Sequence, residues 1–318
     1  MSKITETLAG RNSRYIFFGG KGGVGKTVMA GACAVFLSDV LGKKTLLCST
    51  NPVHSLSSCF MQQFAGGGET KVDGCKHLYA LEIETGATVE KYRENTRDKI
   101  LGFLKYADIP IDPTPFVDAA TTNPAFEESA MFDNVVDVIL ANKYDCYVFD
   151  TAPVAHTYRL LGMSKMYDMW LGKMIKSREE AVSLKRSLSF NKEKKEAIDP
   201  MVQGLLESRK KTGEIRKLLT DPALTAFYFV TLPLALPISV VERFIYWVKA
   251  FNIPVGGVIV NQVMPASDSV STFIVNKQEE QKKYLDLVDK KFGSLVTVKI
   301  PMFDNEIRGV EMLRKVIT

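Results

Sequence analysis

The densest chemical signal in the chain lies near its start. Gly20, Lys21, Gly22, Gly23, Val24, Gly25, Lys26 and Thr27 spell Gly-x-x-x-x-Gly-Lys-Thr. That spacing suits a polyphosphate. Glycines let successive backbone amides turn inward around phosphate oxygens. A helix opening near Lys26 adds the positive end of its dipole. The Lys26 ammonium can reach β- and γ-phosphates, and the Thr27 hydroxyl can ligate the magnesium that accompanies them. ATP or ADP with Mg2+ is therefore the expected ligand set. Lys21, inside the loop, stands too far along it to duplicate Lys26 in the same site.

Such a loop needs a strand before it and a helix after it. The apolar run Tyr15–Phe18 precedes it, and similar runs recur at 45–48, 78–81, 146–149, 226–230, 255–260 and 295–298. These runs are too short for buried helices and read as parallel strands buried on both faces. Most linkers between them can hold the helix that a crossover requires. The expected fold is α/β, a doubly wound, mostly parallel sheet carrying the P-loop. Two linkers, at about 84–145 and 160–224, are far longer than a crossover and have helical spacing. They predict an α-helical subdomain inserted into a single P-loop ATPase domain that spans 1–318. The charge runs Lys192–Lys195 and Arg209–Lys211 read as solvated helix faces.

Composition agrees with a chain that builds a large core. Of 318 residues 46% are hydrophobic and 24% charged, so no disulfide staple is required. The net charge of +5, from 41 basic and 36 acidic residues, is mild, and no basic stripe with interleaved aromatics points to nucleic acid. The five cysteines form no Cys-x-x-Cys pair, and those in apolar settings, such as Cys33 and Cys146, read as small buried hydrophobes in a reducing compartment. Neither a signal peptide nor a run of about 18 apolar residues is present, so a cytoplasmic location is expected.

Further motifs stand at the ends of the apolar runs. Ser49-Thr50-Asn51-Pro52-Val53-His54-Ser55 follows the second run. Asp150-Thr151-Ala152-Pro153-Val154-Ala155-His156-Thr157 follows the fourth and continues Tyr158-Arg159-Leu160-Leu161. Val260-Asn261-Gln262 comes later, then Pro301 ahead of Glu306-Ile307-Arg308-Gly309. The loop with its extra lysine resembles the deviant Walker A class, which includes MinD, the nitrogenase iron protein and ArsA. With the other motifs, from about Arg14 onward, the chain resembles the ArsA family: arsenite-pump ATPases and the targeting ATPases of the guided-entry pathway for tail-anchored membrane proteins. It is most similar to archaeal-type targeting members that lack a zinc Cys-x-x-Cys.

The resemblance implies a role for each piece. Lys21 would cross the interface of a face-to-face homodimer to the partner's ATP. Asp150, an acid closing a buried strand, would hold Mg2+ directly or through water. Asn51–Ser55 and Thr151–Thr157 would be two switches that sense the γ-phosphate. Asn261 and the loop after Pro301 would contact adenine. His54 and His156 fit either metal ligation or hydrogen-bonded switch roles. The insertions would form a groove across the dimer for the transmembrane helix of a client, delivered to a membrane receptor. Met163, Met166, Met169, Trp170, Leu171, Met174 and Ile175 make a methionine-rich stretch suited to varied apolar helices. Ile100, Leu101, Phe103, Leu104 and Tyr106 make another. The same residues also fit the packed core of a subdomain.

Three departures from the family pattern matter. Asn51 stands where the family has the aspartate implicated in activating the attacking water. Asparagine can orient a water but cannot take its proton, so ATP binding should survive while hydrolysis is slow. An introduced substitution that traps the ATP state and a natural binding switch of weak turnover both account for it. Residues 264–272 after Val260-Asn261-Gln262 contain no cysteine, so the zinc shared by two subunits in many targeting members is not expected. Arsenite needs three soft thiolates brought together, and Cys33, Cys48, Cys59, Cys75 and Cys146 fall on or near strands and switches rather than in the insertions. Two functions of different class remain: an ATP-driven targeting factor or holdase for hydrophobic clients, and a nucleotide-switched binding module with little turnover. An arsenite-pump subunit is a third, weaker reading.

Overall fold

The computed structural model describes residues 13–50, 55–64, 66–106, 124–151, 200–265 and 271–317, with isolated residues between 112 and 118 and between 169 and 180. Eight strands form one sheet: β1 (Tyr15–Gly19), β2 (Thr45–Ser49), β3 (Thr70–Lys71), β4 (Leu78–Glu82), β5 (Cys146–Asp150), β6 (Thr225–Thr231), β7 (Val255–Val263) and β8 (Val296–Pro301). Their order is β3-β4-β2-β5-β1-β6-β7-β8. Every neighbouring pair is parallel except β3 with β4. All seven apolar runs become strands, because an all-apolar stretch can be covered on both faces only inside such a sheet. One end differs from the sequence expectation: Leu295 belongs to a 3-10 turn, Gly293–Leu295, and β8 begins at Val296.

The helices among the described residues are α1 (Lys26–Asp39), α2 (Ser55–Phe60), α3 (Thr85–Tyr106), α4 (Pro124–Leu140), α5 (Pro200–Thr220), α6 (Ala235–Ala250), α7 (Thr272–Phe292) and α8 (Gly309–Ile317). Helix α1, which carries the loop motif, is buried nearly all round, with Met29 to Ser38 enclosed. A helix that is apolar on every side must be covered on every side. Its small residues allow this. A Cβ on Gly31 would lie 3.2 Å from the Phe60 ring and 3.4 Å from Leu313, so α2 and α8 press onto α1 from outside while Ile16, Phe18, Leu47, Val148 and Tyr228 of the sheet face it from within. The opposite face of the sheet is a ladder of rings. Phe17 stacks on Phe149 at 4.6 Å and on Phe227 at 5.5 Å, and such offset pairs add to plain area burial.

The chain divides into two compact units. One comprises Met1–Glu84, Ala141–Tyr158 and Leu219–Thr318, which holds the sheet; the other comprises Thr85–Leu140 and Arg159–Leu218. In the second unit Tyr92 of α3 packs on Phe126 of α4 at 4.9 Å. Lys211 of α5 reaches Asp133 at 3.4 Å and Asp137 at 2.7 Å on α4, so this member of the basic run ties two helices together instead of standing in solvent. Of the methionine-rich stretch, Met169 is exposed and Ile175 buried, while Met163, Met166, Trp170, Leu171 and Met174 lie outside the described residues. Helix α3 contains Ile100 to Tyr106, where only the exposed Leu101 has a described side chain. Among the described residues no helix is long and apolar enough to cross a membrane.

The C-terminal helix is latched by one cation. Arg314 donates to the carboxylate of Asp39, the last residue of α1, at 2.7 Å and to the Gly74 carbonyl at 2.7 Å. Burial pushes the Asp39 carboxyl up, but the bonds from Arg314, the Lys76 amide and the Ser38 hydroxyl outweigh it and hold the group below the ordinary carboxylate value. A carboxyl depressed in the fold stabilises fully above its unfolded value of about 3.9 and loses that contribution as pH falls through the folded value. Arg314→Ala should therefore lower the melting temperature at neutral pH by about 1–3 °C. The difference from the unaltered chain should narrow below about pH 3.5, as read from thermal melts across that range.

Candidate nucleotide site

The loop is shaped by two close approaches that exclude any side chain. Gly20 leaves β1 at φ +150°, and a Cβ there would lie 2.3 Å from the Val230 carbonyl oxygen of β6. Gly25 has φ +94°, and a Cβ there would lie 2.3 Å from Asn261 Nδ2. That same amide nitrogen donates to the Val24 carbonyl at 2.9 Å. Asn261, buried on β7 two strands away in the same sheet, thus clamps the loop. The clamp sets up the helix start. Gly25 is the N-cap of α1 and offers no side-chain hydrogen bond, and no acidic residue occupies the first turn. The first amides of a buried helix without a capping side chain form a ready anion site.

Lys26 and Thr27 open α1. Lys26 is 8% exposed, and its Nζ donates to the Lys21 carbonyl at 3.2 Å, folding the loop onto its own lysine. Burial lowers the Lys26 pKa, and the nearby Asp150 charge opposes that shift. Thr27 Oγ1 donates to Asp150 Oδ2 at 2.6 Å, and Ser55 Oγ donates to the same oxygen at 3.4 Å. Ser49 Oγ lies 3.4 Å from Ser55 Oγ. Burial pushes the Asp150 carboxyl up, while the bond from Thr27, the Lys26 charge and the bonds from Ser55 and Ser49 pull it down.

Register explains the convergence. Phe18 pairs with Asp150, Asp150 with Ser49, and Ser49 with Glu82, so three polar residues end three adjacent strands at one level. In parallel neighbours such residues share a face, here the face that α1 covers. The Thr27 hydroxyl and the Asp150 carboxylate are hard oxygen donors. They fit magnesium, which takes one or two protein ligands and completes its shell with phosphates and waters.

Lys21, Gly22 and Gly23 are exposed at the loop surface. Pro301 is exposed at the end of β8, opposite Val263 of β7, and the Met302 amide donates to the Val263 carbonyl at 2.8 Å. That places the Pro301 loop beside the strand end that bears Asn261. Thr151 donates from its hydroxyl to the Phe18 carbonyl at 2.8 Å. Asn51, Pro52, Val53 and His54 lie outside the described residues, as do Ala152 to Thr157 with His156. Sequence reasoning missed the Ser55 hydroxyl beside Asp150, the bond from Asn261 to the loop, and Glu82. Only Glu82 left a usable trace, since it is an acid closing an apolar strand just as Asp150 is. All five cysteines are free and buried. Burial pushes every thiol up, Cys59 and Cys75 to about 12.

The clamp makes a direct prediction. Gly25→Ala forces a left-handed backbone onto alanine and drives its methyl into Asn261, so affinity for a fluorescent ATP analogue should fall about tenfold or more. The melting temperature should move by only a few degrees. Unchanged affinity would show that the loop does not depend on this contact.

Comparison with known proteins gives the family. The family model described as anion-transporting ATPase, of ArsA type, matches residues 13–318. The chain is 32% identical to the ATPase GET3B of Arabidopsis thaliana, over 99% of this chain and 80% of that protein. It is 31% identical to the ATPase GET3C of the same plant, over 98% and 83%. It is likewise 31% identical to the ATPase GET3 of Komagataella phaffii, over 95% and 88%. With a family match over residues 13–318 and relatives above 30% identical across almost its whole length, the chain belongs to the ArsA-type anion-transporting ATPase family.

Proposed function

We propose that this chain is a nucleotide-switched ATPase that binds Mg2+–ATP on residues 20–27, works as a homodimer, and couples the bound nucleotide to capture and release of hydrophobic, tail-anchored client helices. The observation that carries the reading is the 2.6 Å bond from Thr27 to Asp150. It brings the hydroxyl of the phosphate loop and the strand acid to one point. These two residues would hold the magnesium ion, which neutralises charge on the phosphates.

The remaining roles follow from the chain's own groups. Lys26 leaves the Lys21 carbonyl and turns its ammonium to the β- and γ-phosphates. The first amides of α1 hold phosphate oxygens, and the buried surroundings strengthen each such contact. Asn261 keeps the loop open and, with the loop after Pro301, lines the adenine side. Lys21, exposed at the loop surface, is the residue assigned to the partner subunit's nucleotide. Asn51 orients the attacking water without accepting its proton, so turnover is slow. The helical unit carries the client surface, and a membrane receptor accepts the client. The tail-anchored client rests on the resemblance of the motifs.

The arsenite-pump reading has less support. The five thiols are spread over α1, β2, α2, the β3–β4 turn and β5 and are all buried, whereas three thiolates must meet to bind the metalloid.

Three measurements test the proposal. Lys26→Ala should abolish binding of the ATP analogue, and retained affinity would sink the site assignment. Phosphate release should rise at least about tenfold in Asn51→Asp, a barrier change of about 1.4 kcal/mol. An equal rate would remove Asn51 as the cause of slow hydrolysis. Co-expression with a tail-anchored protein should yield a soluble complex in the ATP state. If no apolar helix is retained, the nucleotide-switched module with another partner takes precedence.

A further inference from the structure

Glu82 ends β4 and is 4% exposed, and three donors converge on its carboxylate. The Leu56 amide donates to Oε1 at 2.7 Å and the Ser57 amide to the same oxygen at 3.2 Å. The Ser57 hydroxyl donates to Oε2 at 2.7 Å and itself accepts from the Phe64 amide at 3.1 Å. Both oxygens are thus engaged by the first turn of α2. Bonds to an ionised acceptor are roughly twice as strong as neutral ones, so this turn is tied firmly to the sheet. Ser55, one residue ahead of the first anchored amide, reaches Asp150 Oδ2 at 3.4 Å. A bond that long sits at the edge of hydrogen-bonding range. It depends on where α2 is held rather than on its own strength. The register of β4, β2 and β5 puts Glu82 and Asp150 on either side of Ser49, so the same end of the sheet supplies both the metal-binding acid and the acid that places its neighbour.

We propose that Glu82 is a positioning residue of the nucleotide site. It holds the first turn of α2 so that the Ser55 hydroxyl stays on Asp150, and in doing so it sets how strongly magnesium raises the affinity for ATP. This inference rests on the assignment of Thr27 and Asp150 as the magnesium-holding pair. A carboxylate that loses an outer partner drifts from its ligating orientation, and such losses weaken a metal site about 10- to 100-fold.

The test is a titration of the full chain with a fluorescent ATP analogue, once with Mg2+ and once with EDTA, alongside thermal melts. In Glu82→Ala the gain that magnesium confers should fall about tenfold while affinity in EDTA stays within about twofold. Glu82→Gln, which keeps one carbonyl acceptor for the two amides, should recover part of the gain. A purely structural role would lower both affinities together with the melting temperature, and that result would overturn the proposal, as would an unchanged magnesium gain in Glu82→Ala. If Glu82→Ala does not fold, Ser57→Ala decides, because both amide bonds remain: the magnesium gain should drop about threefold, and an unchanged gain overturns the proposal. An unaltered chain that binds no analogue would instead refute the reading of the loop. One that binds it without a magnesium gain would refute the metal assignment and this inference with it.

Discussion

A hydrogen bond from the Thr27 hydroxyl to the Asp150 carboxylate joins the first turn of α1 to the end of β5, and much of the architecture exists to bring those two atoms together. Asp150 is 1% exposed. A carboxylate that deep is tolerable only with donors around it, and Thr27, Ser55 and Ser49 supply them. Each donor comes from a different element, and each element must be held. The sheet register holds Ser49, the buried packing of α1 holds Thr27, and Glu82 holds the turn that starts at Ser55. The same constraint explains why α1 is enclosed on all sides. A phosphate loop must keep its amides pointed inward without a ligand present, and a helix sealed between sheet, α2 and α8 has no room to tilt.

The electrostatics of the site are balanced in the same way. Lys26 and Asp150 both lose solvation, and burial disfavours the charge on each while their mutual attraction favours it. Two opposite charges that share a buried site without touching rarely contribute net stability. Among the described residues Lys26 is held by a backbone carbonyl, a neutral partner that leaves its charge uncompensated at contact distance.

The fold was legible in the sequence to the extent that burial dictates composition. Tyr15–Phe18 and Cys146–Phe149 are too short for buried helices and are strands buried along their whole length, whereas the run at 295–298 feeds the edge strand β8, which is only partly covered. Thr70 and Lys71 could not be read as a strand, because two polar residues carry no period; they pair with β4 only because the antiparallel hairpin brings them there. Leu295 was misplaced because Gly293, at φ +49°, turns the chain just before β8. At the site, Gly20 to Thr27 and Asp150 were readable since their chemistry is local to one motif or one strand end. The contacts of Ser55 with Asp150, of Asn261 with Val24 and of Glu82 with α2 were not, because each joins residues far apart in the chain, even though Glu82 itself stands out as an acid closing an apolar strand.

The central position of β1 has a consequence for how the molecule comes into being. Tyr15 pairs with Tyr147 on one side and Thr225 on the other, so during synthesis the first strand waits with both edges open until much of the chain has been made. Pairings between such distant segments form slowly and leave apolar edges exposed meanwhile. Gly20 meets the carbonyl of Val230, and Val24 meets Asn261, so the loop cannot take its working shape on the ribosome before β6 and β7 have emerged. A nascent chain of this family member therefore has no nucleotide to steady it through most of its elongation, and ATP can act as a folding ligand only at the last stage.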